Sequence, residues 1–245
     1  MNYDAFAGAA LPVSLLALMG VALWCRPAVR HARVIREGGT VFLSETIMHR
    51  AYSWIDGLAA IGARQGVRAD AISWLSLAFG LASGLMSARG WLGGSAWALA
   101  LSGLCDGLDG AIARRSGTAT AAGAVLDSAL DRYVEFFFCA GLLVLFAGQT
   151  YAQLLVLVTL FGGFMVTYST AKAEALGIKP PRGWMKRPER LVWLTGGAAL
   201  AAAGQLLCWP LSYTLLGTLG VVAIFANLSA ILRLRALVVA TKNKT

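Results

Sequence analysis

The sequence predicts an all-α integral membrane protein with seven membrane-spanning helices. Of the 245 residues, 58% are hydrophobic and only 13% are charged, and the mean hydropathy is +0.68. Soluble domains average about 45–50% apolar and about 25% charged residues, and they could not bury this much apolar surface. The four cysteines are scattered and show no CxxC pair, which excludes a disulfide scaffold.

Seven stretches are long and apolar enough to cross a bilayer, which takes about 20 helical residues. The first stretch lacks a basic N-terminal region and a small-residue cleavage site, so we interpret it as a retained anchor rather than a signal peptide. Gly204 and Pro210 mark the last turn between spans. The predicted spans are about 5–25, 71–88, 91–112, 124–147, 151–171, 191–207 and 210–232.

Lysine and arginine residues set the orientation of these spans. Nineteen of the 21 lie on one side, clustered between apolar blocks. The positive-inside rule makes that side cytoplasmic. We therefore expect a protein of the cell (inner) membrane with its C-terminus in the cytoplasm and its N-terminus outside. Because the net charge of +9 follows the loops rather than one soluble face, we expect contacts with anionic membrane lipids and none with nucleic acid.

An amphipathic helix is predicted over residues 45–65, between the first and second spans. Apolar residues recur there at helical spacing and include Trp54, Leu58 and Ile61, while Ser53 and Asp56 take the opposite face. A tryptophan on the apolar face favours a helix lying in the membrane interface. An ordinary packed helix is the alternative.

Four aspartates occupy positions from which a bilayer excludes charge. Asp106 and Asp109 lie near the end of the third span, and Asp127 and Asp131 lie near the start of the fourth. The spacings of three and four residues put each pair on one helix face. A tight cytoplasmic turn joins the two helices, so we expect antiparallel neighbours whose four carboxylates converge.

Carboxylates at this depth cost several kcal/mol each unless they are paired or bind metal. The nearby bases, Arg114 and Arg132, are too few to pair with all four acids. Oxygen-only ligands favour Mg²⁺ or Mn²⁺, with Ca²⁺ left open, over zinc, and bound Mg²⁺ commonly holds substrate phosphates. Gly110 and Gly123 leave room beside the acids for a ligand, although helix packing is an alternative use of such small residues.

The stretch from Asp106 to Asp131 reads D-x2-D-G-x2-A-R-x8-G-x3-D-x3-D and resembles the signature of the CDP-alcohol phosphotransferase (CDP-alcohol phosphatidyltransferase) family. The resemblance covers roughly residues 45–240 and implies a six-span helical bundle preceded by an interfacial helix, with one extra N-terminal span. We therefore divide the chain into an anchor with a basic cytoplasmic linker, a catalytic membrane domain and a cytoplasmic tail. These divisions cover residues 1–44, 45–240 and 241–245.

The resemblance also implies an activity, which is transfer from a CDP-linked lipid such as CDP-diacylglycerol to a polar alcohol, with release of CMP. It implies two Mg²⁺ (or Mn²⁺) ions, with Asp131 also acting as general base. The implied metal ligands are Asp106, Asp109, Asp127 and Asp131. The implied CDP-binding residues are Gly110, Ala113, Arg114, Thr120 and Gly123.

Two further segments, 167–175 and 186–190, resemble the bacterial phosphatidylinositol-phosphate synthases, which carry the runs S-Y-x-K-A-R-A-E-A and R-P-E-R. This branch implies inositol 1-phosphate as acceptor. The residues expected to bind it are Thr167, Thr170, Lys172, Arg187, Arg190 and Arg233. Thr170 replaces a lysine of that run, which weakens the case for a phosphorylated acceptor. Glycerol 3-phosphate or another polyol is the alternative.

An ion-coupled transporter is the alternative from another class, because intramembrane acids also mark ion pathways. The acids cluster at one cytoplasmic turn and the two halves show no repeat, which disfavours a transporter. The complete signature disfavours a catalytically silent scaffold. Gly162-Gly163 and Gly196-Gly197 are compatible with a homodimer or with packing inside the chain.

Overall fold

The structure, a computed structural model, describes residues 3–25, 45–181 and 183–242, and within these ranges it contains helices and no strand. The all-α prediction is therefore confirmed. A short 3₁₀ turn, Gln205–Leu207, follows the seventh helix. The α-helices are α1 Tyr3–Cys25, α2 Glu45–Arg64, α3 Ala69–Ala88, α4 Leu92–Arg115, α5 Ala121–Leu145, α6 Thr150–Ala175, α7 Arg187–Gly204 and α8 Leu211–Lys242.

Each of the seven predicted spans coincides with one of these helices, and α2 coincides with the predicted interfacial helix. In the described part of the chain, α3, α6 and α8 are long and apolar enough to cross a membrane by length and composition. The number of spans and their orientation stay predictions. The predicted basic linker over 26–44 and the last three residues of the tail lie outside the described residues.

The helix α3 packs extensively against both α4 and α5. Glycines allow α3 and α5 to approach each other closely. A Cβ at Gly84 would collide with the carbonyl oxygen of Phe137, and a Cβ at Gly141 would collide with the carbonyl oxygen of Gly84. As a result α4 and α5 contact each other much less than each contacts α3. The prediction that α4 and α5 are direct neighbours is therefore wrong for most of their length.

The N-terminal helix α1 packs against α4 and α7. Trp97 Nε1 donates a hydrogen bond of 3.0 Å to the carbonyl oxygen of Ala7, and the Asp4 carboxylate accepts one of 3.0 Å from the backbone N–H of Gly94. A Cβ at Gly8 would lie 2.6 Å from the Ala202 Cβ. The helix that precedes the expected six-span bundle is thus packed into that bundle.

The helix α2 presents Trp54, Leu58 and Ile61 to the outside, where these large apolar side chains are exposed. Its other face buries Ala59 against Ile112 of α4. This division suits a helix with one face in the lipid interface and one on the protein. The interfacial position itself stays a prediction.

Candidate functional site

The end of α4 and the start of α5, on either side of the turn that joins them, bring three aspartates together. Asp106, Asp109 and Asp127 each offer a carboxylate oxygen, and these oxygens all lie within 4.8 Å of one another. Asp109 is buried and the other two are half-buried. These three acids therefore converge as predicted, at a spacing that a single cation can bridge.

Asp131 joins this cluster through an arginine of α7. Arg187 places Nη1 2.5 Å from Asp106 Oδ2 and Nη2 2.5 Å from Asp131 Oδ1. The bases expected from the sequence have other surroundings, since Arg114 is exposed and Arg132 donates to the carbonyl oxygen of Ser128. The counter-charge comes from a distant segment, which local spacing does not reveal.

Ser73 of α3 fixes the buried acid. Its hydroxyl donates a hydrogen bond of 2.6 Å to Asp109 Oδ2, while the Gly110 N–H donates one of 2.5 Å to Asp109 Oδ1. Both oxygens of Asp109 are therefore held before any ligand arrives. Ser73 could not be predicted from the sequence, because a lone serine in an apolar helix carries no motif.

A cavity of about 650 Å³ opens beside the acids. Its walls come from the end of α2, the turn into α3, the start of α3, the end of α4, the following turn and the start of α5. Thr120 caps α5 by accepting a 3.0 Å hydrogen bond from the Gly123 N–H. All five residues expected to bind CDP line this cavity, together with Asp109 and Asp127: Gly110, Ala113, Arg114, Thr120 and Gly123.

Arg190 is buried in a bidentate ion pair with Glu135 of α5. Nε and Nη2 each donate a hydrogen bond of 2.7 Å to one carboxylate oxygen, and Nη1 donates one of 2.8 Å to the carbonyl oxygen of Met185. Glu135 was missed in the sequence, although it continues the four-residue spacing of Asp127 and Asp131 along α5. The predicted acceptor role of Arg190 stays a prediction.

The other residues expected at the acceptor site are distributed over two places. Thr167 donates a hydrogen bond of 3.0 Å to the carbonyl oxygen of Gly163, beside the buried ion pair. Arg233 donates hydrogen bonds of 3.0 Å to Thr170 Oγ1 and to the carbonyl oxygen of Pro181. Lys172 is exposed on α6, away from these contacts.

Three of the four glycines singled out for helix packing serve contacts inside the chain. A Cβ at Gly162 would lie 2.5 Å from Asn227, one at Gly163 would lie 2.5 Å from Glu135, and one at Gly197 would lie 2.5 Å from Thr218. Gly196 has open space at its Cβ position. Internal packing thus accounts for most of these glycines, and a homodimer stays a prediction.

Two curated relatives are similar to this chain in sequence. Archaetidylinositol phosphate synthase of Methanothermobacter thermautotrophicus is 38% identical over 138 residues, which cover 56% of this chain and 69% of that protein. Phosphatidylinositol phosphate synthase of Mycobacteroides abscessus is 36% identical over 124 residues, which cover 49% of this chain and 54% of that protein. The chain thus spans between about half and two thirds of the length of these relatives.

The fold is similar to that of solved phosphatidylinositol phosphate synthase structures from Mycobacterium tuberculosis. The one with CDP-DAG bound has a TM-score of 0.65 at 28% identity and covers 74% of this chain and 92% of that chain. The one in complex with manganese and citrate has a TM-score of 0.66 at 28% identity and covers 74% and 87%. The CDP-alcohol phosphatidyltransferase family profile matches residues 67–241. The chain therefore belongs to the CDP-alcohol phosphatidyltransferase family and is a CDP-alcohol phosphotransferase enzyme.

Proposed function

We propose that this enzyme transfers a phosphatidyl-type group from CDP-diacylglycerol to a polar alcohol and releases CMP, with inositol 1-phosphate as the acceptor. The observation that carries the proposal is the juxtaposition of three signature aspartates with a cavity lined by all five residues expected to bind CDP. Its volume of about 650 Å³ lies within the range of about 300–1,000 Å³ typical of ligand pockets. The related structure with CDP-DAG bound supports the choice of donor.

The acids suit a hard divalent cation, because the ligand set consists only of carboxylate oxygens. Asp106, Asp109 and Asp127 would hold the first ion, with Asp131 available to a second. Bound cations of this kind neutralise a pyrophosphate and stabilise charge on a departing phosphate. The related structure in complex with manganese supports a divalent cation, and we propose two Mg²⁺ or Mn²⁺ ions.

The transfer exchanges one phosphorus–oxygen bond for another. The acceptor hydroxyl oxygen bonds to the lipid-linked phosphorus of the pyrophosphate, the bond from that phosphorus to the bridging oxygen breaks, and CMP leaves with the bridging oxygen. Asp131 accepts the hydroxyl proton as general base. Arg187, 2.5 Å from the Asp131 carboxylate, orients this base toward the attacking hydroxyl.

The acceptor site is proposed on the α7 side of the acids, where arginines are concentrated. Arg187 is half-buried and lies against Asp131, so a phosphate bound there would stand close to the base. Charge-assisted arginine contacts favour a phosphorylated acceptor over a neutral alcohol. Glycerol 3-phosphate shares this feature and is the second candidate. The cavity is proposed to face the cytoplasm.

A panel of acceptors tests the proposal directly. Purified full-length protein is incubated with CDP-diacylglycerol, Mg²⁺ and either inositol 1-phosphate, myo-inositol or glycerol 3-phosphate, and CMP release is measured. We expect the highest kcat/KM with inositol 1-phosphate. A better rate with myo-inositol would show that the acceptor is wrong, and absence of CMP with every alcohol would show that the proposed transfer is wrong.

A further inference from the structure

We propose that Glu135 is a positioning residue for the acceptor site, where it fixes Arg190 and thereby holds Arg187 against Asp106 and Asp131. The proposal rests on the proposed function, which locates the acceptor beside these groups. The helices α5 and α7 have little direct contact with each other. Two ion pairs join them instead, Asp131 with Arg187 and Glu135 with Arg190.

The two pairs differ in exposure, which assigns them different tasks. The Glu135 and Arg190 side chains are 10% and 2% exposed, whereas Arg187 is 23% exposed. We call the pair of Glu135 and Arg190 the inner pair, because it is the more buried. Breaking a buried ion pair leaves an uncompensated charge in the protein interior, so the inner pair stays closed. Its two parallel hydrogen bonds also fix the guanidinium plane. Arg187 is exposed enough to exchange one of its carboxylate partners for a phosphate of the acceptor.

A continuous series of contacts leads from Glu135 to Arg187. Arg190 Nη1 donates a hydrogen bond to the carbonyl oxygen of Met185. Met185 is fully buried, and its backbone has a left-handed conformation with φ 52°. The next residue, Lys186, donates its backbone N–H to Glu189 Oε2 at 3.0 Å. These contacts fix the start of α7, where Arg187 is the first residue and lies one turn before Arg190.

The facing helix α6 leaves space for the inner pair. A Cβ at Gly163 would lie 2.5 Å from Glu135 Oε1 and 2.8 Å from Arg190 Nε. Glycine is less favourable than alanine inside a helix, so the glycine at this position is explained by the space that the ion pair needs. Gly163 also accepts the hydrogen bond of Thr167, a residue expected at the acceptor site.

Two substitutions on different helices test the proposal. Glu135→Gln removes the charge while keeping the shape, and Gly163→Ala displaces the pair without changing a charge. For both we expect the KM for inositol 1-phosphate to rise about tenfold or more, since small misplacements of positioning groups have effects of this size. The KM for CDP-diacylglycerol should stay unchanged, and Glu135→Asp should fall between wild type and Glu135→Gln.

The matched controls are Glu174→Gln, at an exposed glutamate of α6, and Gly196→Ala, whose Cβ would meet nothing within 4 Å. Both should behave as wild type, and thermal unfolding checks that each variant is folded. An unchanged acceptor KM in folded Glu135→Gln and Gly163→Ala would overturn the proposal. So would an equal rise in both KM values, or failure of all three pair variants to fold, because the pair would then serve only the fold. A wild type that releases no CMP would instead contradict the proposed function, and the acceptor role of the pair with it.

Discussion

Ser73 holds one oxygen of Asp109 through a 2.6 Å hydrogen bond, so its removal should weaken cation binding. Loss of such an outer contact to a metal ligand reduces metal affinity by roughly 10–100-fold. We therefore expect Ser73→Ala to raise the Mg²⁺ concentration for half-maximal CMP release by about tenfold or more. Ser76→Ala is the control, since Ser76 is also buried in α3 but bonds to Ser102. Equal Mg²⁺ midpoints for the two variants would contradict the role of Ser73.

Arg187 places a positive charge among the acids proposed to bind the cation. Its removal should therefore strengthen Mn²⁺ binding, because like charges repel at short range. We expect Arg187→Gln to tighten Mn²⁺ binding several-fold, measured from the free-ion signal in electron paramagnetic resonance, while CMP release falls. Lys179→Gln, at an exposed lysine, should change neither. Weaker Mn²⁺ binding in Arg187→Gln would show that the arginine supports the cation site rather than competing with the ion.

The residues of the site fall into two groups, those brought together by local sequence spacing and those brought together by contacts between distant segments. Asp106, Asp109 and Asp127 could be predicted, because local helical spacing and one short turn bring them together. Ser73 and Glu135 could not be assigned roles in the same way. Their functions depend on which helices pack side by side, and a single sequence shows no contacts between distant segments.

At the scale of helices, hydropathy predicts where seven of the helices lie along the chain but not which helices are neighbours. The turn between α4 and α5 suggested direct packing, whereas small residues on α3 let that helix pack against both. The same limit applies to α1, which the family resemblance set apart from the bundle. Close approach through glycine is decided by matching surfaces, which hydropathy does not describe.

The packing of α1 predicts a stability effect at Gly8. A Cβ there would lie 2.6 Å from the Ala202 Cβ and 2.7 Å from the Ala199 carbonyl oxygen. Overpacking of this kind costs about 1–3 kcal/mol, so Gly8→Leu should lower the Tm in detergent. Gly217→Leu on α8 is the control, because nothing lies within 4 Å of its Cβ position. If both variants have the wild-type Tm, α1 does not pack tightly on α7.

For the whole molecule, the charge distribution predicts opposite sides for the loop after α7 and the end of α8. Cys208 is exposed in that loop, whereas Cys105 and Cys139 are buried. Labelling of the native Cys208 can therefore show on which side of the membrane this loop lies. In a Cys25→Ser background, a membrane-impermeant maleimide should label Cys208 in spheroplasts. It should label Lys242→Cys, made with Cys208→Ser, only after permeabilisation. Labelling of both from one side would contradict the predicted orientation.

The proposed function requires that the acid cluster supports cation-dependent transfer from a CDP-linked lipid. Its most direct test is CMP release by the purified protein with CDP-diacylglycerol and inositol 1-phosphate, with and without excess chelator. We expect activity with Mg²⁺, its loss in chelator and its return when Mg²⁺ or Mn²⁺ is restored. We expect no activity in folded Asp106→Asn or Asp127→Asn. Full activity in excess chelator, or in either folded variant, would contradict cation-dependent transfer by these acids.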